Sequence, residues 1–119
     1  MEGMFEGSSF DGDISDWDVS NVITMSHMFE GCPNFNCDLS NWKVGNVTDM
    51  SYMFNGCSKF NSDLSYWDVS KVTYMFSMFE DCHKFNQDIS HWDVSKVIYK
   101  RYIFDNCPIK DEYKPKFNI

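Results

Sequence analysis

Phe60-Asn61-Ser62-Asp63-Leu64-Ser65-Tyr66-Trp67-Asp68-Val69-Ser70-Lys71-Val72-Thr73-Tyr74-Met75-Phe76-Ser77-Met78-Phe79-Glu80-Asp81-Cys82 returns along the chain, with few changes, at a period of 25 residues. Tryptophan falls at 17, 42, 67 and 92, phenylalanine at 10, 35, 60 and 85, and cysteine at 32, 57, 82 and 107. A fixed period of this size marks a stacked array, in which each unit buries its apolar face only against its neighbours. The period divides the 119 residues into a partial repeat at 1–9, repeats at about 10–34, 35–59, 60–84 and 85–109, and a C-terminal cap at 108–119. All of these belong to one repeat domain spanning 1–119.

Within one unit, Val72, Met75, Met78, Phe79 and Cys82 are spaced by three and four, which predicts one apolar stripe along a short helix. Ser20, Gly45, Ser70 and Ser95 stand before the equivalent stripes, where an N-cap belongs. Gly31, Gly56, Asp81 and Asn106, with Gly7 as a partial counterpart, stand where a helix stop needs left-handed backbone. Asp63–Val69 is too short for a second helix and rich in β-branched and aromatic residues, so it reads as a strand. Strands returned to by helices run parallel. The predicted fold is therefore α/β: a right-handed, leucine-rich-repeat-like solenoid of about four coils, each with one short parallel strand and one short helix.

Composition narrows the function. A formal charge of −8 with 43% hydrophobic residues describes an acidic chain with material for a core. It excludes a nucleic-acid binder, which needs a basic face. The charge is uneven: residues 1–59 carry nine acids and two lysines, residues 60–119 nine acids and eight Lys or Arg. No apolar run approaches the roughly 18 residues of a membrane span, and Met1-Glu2-Gly3-Met4-Phe5 lacks the pattern of a secretory signal. Met1-x-x-Met4-Phe5 matches Met25-x-x-Met28-Phe29 with a shift of 24, so the chain starts inside a repeat. That start reads either as a fragment of a longer array or as a truncated first unit, and it predicts self-association through the N-terminal face.

The consensus Phe-Asn-x-Asp-Leu/Ile-Ser-x-Trp-Asp-Val-Ser-x-Val-Thr-x-Met-Ser-x-Met-Phe-x-x-Cys, carried over about residues 4–107, resembles the repeat of BspA-like surface proteins, relatives of the leucine-rich repeats. The resemblance implies a solenoid used in adhesion to host or matrix proteins, at a cell surface or outside the cell. The repeat is also similar to copies in proteins of protists and large DNA viruses, and the ending Cys107–Phe117 is similar to array endings of the viral group. That second likeness implies an intracellular or virus-encoded scaffold module as the alternative. No wall anchor or membrane anchor accompanies the repeats.

The polar columns read first as parts of the coil. Cys32, Cys57, Cys82 and Cys107 share a register position and predict an inward ladder of packed thiols rather than a zinc site or crosslinks. Cys37, whose register partners are Gly12, Ser62 and Gln87, reads as a more exposed thiol. Asp13, Asp38, Asp63 and Asp88 form a second column. Calcium at Asp11, Asp13, Asp16 and Asp18 is its sharper reading; carboxylates accepting N–H bonds in their own turns is the favoured one. Ser15, Ser40, Ser65 and Ser90 recur with the motif, and His27, His83 and His91 sit at unrelated register positions. With no phosphate loop or nucleophile elbow, the reading is a non-enzymatic protein without cofactor or metal. Function belongs where repeats differ. Tyr66, Tyr74, Phe76, His91 and Tyr99 form the candidate protein-binding patch, since aromatics give contact area at low entropic cost; the same tyrosines could serve only to cover gaps between helices.

Overall fold

Every second N–H between Met25 and Gly31 leaves its own repeat. In the computed structural model, which describes residues 1–117, the N–H groups of Met25, His27, Phe29 and Gly31 donate to the carbonyls of Asp49, Ser51, Met53 and Asn55 at 2.7–2.9 Å. Met50, Tyr52, Phe54 and Gly56 donate in the same way to Tyr74, Phe76, Met78 and Glu80 in the next repeat, and Met75, Ser77, Phe79 and Asp81 to Tyr99, Arg101, Ile103 and Asp105. Other N–H groups close tight turns inside the repeat: Met28 to Met25, Glu30 to His27 and Cys32 to Phe29. In the other direction Thr48 donates to Ile23, Thr73 to Thr48 and Ile98 to Thr73, beside isolated parallel bridges that pair Thr24, Asp49, Tyr74 and Tyr99 in series.

This ladder overturns the predicted α/β solenoid. Among the described residues there is no α-helix and no strand longer than a single bridge residue; the one regular element is a 3₁₀ turn at Asp111–Tyr113. A helix would send each of those N–H groups to the carbonyl four residues back. Here half of them reach the adjacent layer, and left-handed residues spaced by four break any helical run. His27 and Gly31 have φ of +60° and +71°, Tyr52 and Gly56 +60° and +76°, Ser77 and Asp81 +52° and +60°, and Tyr102 and Asn106 +62° and +57°. The expected left-handed stops at Gly7, Gly31, Gly56, Asp81 and Asn106 are thus present, but they end turns rather than helices. The expected N-caps act differently too. Ser20, Ser70 and Ser95 donate their backbone N–H to the Asp two residues earlier. The expected strand Asp63–Val69 is folded over by a turn in which Trp67 donates to the Leu64 carbonyl, and the parallel bridges fall instead on residues assigned to the helix.

Side chains complete what the turns leave open. The indole N–H groups of Trp42, Trp67 and Trp92 donate to the carbonyls of Ile14, Leu39 and Leu64 in the preceding layer, at 2.9–3.0 Å. The thiols of Cys32, Cys57 and Cys82 donate likewise to Phe5, Phe29 and Phe54. Among the described residues no buried side-chain nitrogen or oxygen lacks a partner, as a low-dielectric interior demands. Around these bonds the core is two stacked phenylalanine columns. Phe29, Phe54 and Phe79 lie 5.6–5.8 Å apart from layer to layer, and Phe35, Phe60 and Phe85 5.8–5.9 Å. The columns also stack on each other within a layer, at 3.9 Å for Phe29 and Phe35.

Trp42, Trp67 and Trp92 are buried as the register predicts, but Trp17 is 36% exposed, because no layer lies on its outer side. At the far end, Ile109 and Pro115 are buried, Tyr113 and Phe117 pack on the core, and the Ile89 N–H donates to the Tyr113 carbonyl. Asn118 and Ile119, the end of the expected cap 108–119, lie outside the described residues. Among the described residues no helix is long and apolar enough to cross a membrane.

Candidate functional site

The aspartate columns are used up by the turns they sit in. Asp13, Asp18, Asp68 and Asp88 each accept both the N–H and the hydroxyl of the serine two residues on, the hydroxyl at 2.6 Å. Asp38, Asp63 and Asp93 accept the serine N–H at 2.9–3.0 Å. Bonds from the serine hydroxyl first, and its backbone N–H second, hold the carboxyls of Asp13, Asp18, Asp38, Asp68, Asp88 and Asp93 below the ordinary carboxylate range. Among the described residues, Asp11, Asp13, Asp16 and Asp18 do not converge into a metal-holding group.

All five cysteines are free thiols. Burial pushes Cys57 and Cys82 far above the usual thiol range and raises Cys107. Cys37 is partly exposed; desolvation first, and then the Asp13 carboxylate it touches, raises it as well. Cys37, Cys57, Cys82 and Cys107 are thus shifted away from the lowered pKa of a nucleophile.

The aromatic residues separate into two groups. Tyr74 and Tyr99 occupy successive bridge positions, so the backbone ladder lays one phenol flat on the other, with ring centres 4.9 Å apart and planes within 2°. Phe76 tilts against Tyr99 at 5.2 Å. Both tyrosines stay about two-fifths exposed, and Ile98 and Tyr102 beside them in sequence are more exposed still. Tyr66 and His91 form the other group: Tyr66, 86% exposed, lines an open depression with Asp63, Ser65, Gln87, Asp88 and His91, and borders another with Trp42, Lys43 and Asp68. Among the described residues no aromatic contact joins Tyr66 or His91 to the Tyr74–Tyr99 pair. The five residues read as one patch therefore make a continuous apolar strip of three and a separate polar depression of two.

With this geometry the chain can be compared with known proteins. A family model described as Mycoplasma protein of unknown function, DUF285, matches residues 1–115. The chain belongs to that family. The match takes in all the layers and most of the C-terminal tail, so the DUF285 assignment covers the strip, the depression and the core columns together. No curated protein and no solved structure matches the chain.

Proposed function

We propose that this chain is a non-enzymatic, protein-binding repeat array of the BspA-like kind, serving surface adhesion, and that its partner is met by the strip of Tyr74, Phe76 and Tyr99. One observation carries the reading: two tyrosines stacked face to face yet left two-fifths exposed. A stacked pair fixed by the backbone ladder loses little freedom when a partner covers it, and large rigid aromatics are the side chains that dominate binding surfaces. The raised thiols of Cys37, Cys57, Cys82 and Cys107, and the commitment of every shifted aspartate to its own turn, support a binding role over chemistry.

The test is a binding assay against immobilised matrix glycoproteins, comparing the native chain with the double variant Tyr74→Ala/Tyr99→Ala. The expected loss is tenfold or more, about 1.4 kcal/mol per decade, with the thermal transition retained because both side chains lie outside the core. Equal binding by the double variant would refute the strip as the binding surface.

A further inference from the structure

We propose that Glu6, His27 and Glu30 form a site for one divalent transition-metal ion of the zinc class, which clamps the first, partial layer to the second. Their ligand atoms all lie within 4.8 Å of one another. The His27 Nδ1 meets Glu30 Oε1 at 2.5 Å within one layer, and Glu6 approaches from the layer before it. A tetrahedral ion with bonds of about 2.1 Å holds its donors about 3.4 Å apart. Binding opens the His27–Glu30 hydrogen bond to that spacing while the longest separation shrinks, and Glu6, on the exposed side, is free to move.

The rest of the array shows why this group is not simply a product of the repeat. Glu6, Glu30, Asn55, Glu80 and Asp105 share one register column. At Glu80 the column places an amide beside the acid: Asn55 donates to the Glu80 carboxylate at 3.1 Å. The column holds two neighbouring pairs of acids, Glu6–Glu30 and Glu80–Asp105, but the adjoining column of Gly3, His27, Tyr52, Ser77 and Tyr102 supplies its single imidazole only at the first. Gly3 leaves room beside Glu6, since a Cβ at that position would lie 3.2 Å from Glu6 Oε1. On its other side His27 stacks on Tyr52, with ring centres 4.7 Å apart, which fixes the plane of the imidazole. Two carboxylates and one imidazole suit zinc, cobalt or a related ion; calcium and magnesium take oxygen alone and gain nothing from the histidine. This inference is independent of the partner-binding strip.

The experiment uses the full chain freed of metal with a chelator. Zinc, cobalt and calcium chlorides are titrated separately while the ring protons of His27, His83 and His91 are followed by NMR. The expected result is saturation at one equivalent of zinc, a selective shift of His27, and a rise in melting temperature. Affinity should fall at least tenfold in Glu6→Gln and in His27→Asn, the latter chosen because asparagine tolerates left-handed backbone. Glu80→Gln, in the same column, should bind as the native chain does. The metal-free variants are checked for the native circular dichroism spectrum; should His27→Asn misfold, the Glu6→Gln comparison and the His27 ring shift still decide. No saturable zinc binding, a response at His83 or His91 instead of His27, or calcium binding as tightly as zinc would each overturn the site.

Discussion

Asp16-Trp17-Asp18-Val19-Ser20 and Tyr66-Trp67-Asp68-Val69-Ser70 are nearly the same sequence in two different layers. Trp67 is 3% exposed, donates its indole N–H to the Leu39 carbonyl and stacks parallel to Trp92. Trp17 is 36% exposed and leans on Phe5 at 5.9 Å. The motif and its local turn are shared, so the difference comes from the layer outside. Burial in this molecule belongs to the position in the stack and not to the residue.

The largest effect should come from removing the ring in each setting. Trp67→Ala should cost about 3–5 kcal/mol, as large aromatic truncations in a core do, and it also strands the Leu39 carbonyl. Trp17→Ala should cost roughly 1–2 kcal/mol, since less area returns to water. Chemical denaturation of both variants measures the gap, and equal losses would abolish the distinction between inner and outer layers.

A smaller effect should follow from giving Trp17 what Trp67 has. One consensus repeat placed ahead of Met1 would cover Trp17, Met4, Phe5 and Phe10, which are exposed or half-buried now. The expected gain is about 1–3 kcal/mol, from apolar area at about 25 cal/mol per Å², and the loss of any concentration-dependent self-association in sedimentation. An extended chain that melts no higher would mean the outer layer is already as stable as it can be.

The smallest difference concerns acid. Asp18 and Asp68 hold the same serine bonds in outer and inner layers, and both carboxyls are depressed below 3.8. A depressed folded-state pKa gives stability that is complete above the unfolded value and is lost as pH falls through the folded one. Melting temperature should therefore hold steady above about pH 5 and decline below about pH 4, with Ser20→Ala and Ser70→Ala both flattening the decline. If only Ser70→Ala did so, the turns of the outer layer would not be formed in solution.

The period, the phenylalanine and tryptophan columns and the left-handed positions before each cysteine column could be read from residue types alone, because each is fixed by what one layer must bury or bend. The secondary structure could not. Val72, Met75, Met78, Phe79 and Cys82 carry a helical spacing, yet overlapping three-residue turns put Met75, Met78, Phe79 and Cys82 on the same inner side. What separates the two is the destination of the N–H groups, and a carbonyl 24 residues away leaves no trace in local pattern. One trace did exist: Gly3, left-handed and four residues before Gly7, occupies a position inside the expected helix, where glycine is disfavoured. The binding strip was half legible. Tyr74, Phe76 and Tyr99 stand out as departures from the consensus, but their separation from Tyr66 and His91 depends on turn geometry. Glu6, His27 and Glu30 escaped because only the stack brings Glu6 beside the other two, which lie three residues apart in one layer.

The ladder from Met25, His27, Phe29 and Gly31 to the following repeat also governs how the chain comes to be folded. A solitary repeat holds only short turns, which do not persist unaided in water, so the smallest productive nucleus is two adjacent repeats closing a loop of about 25 residues. Growth then adds one repeat at a time, each step gaining a full set of backbone bonds and ring stacks. Amide exchange should be slowest at Phe54 and Tyr52, which have layers on both sides, and fastest at Gly3 and Phe5. The last part to form and the first to open is the segment that carries Glu6.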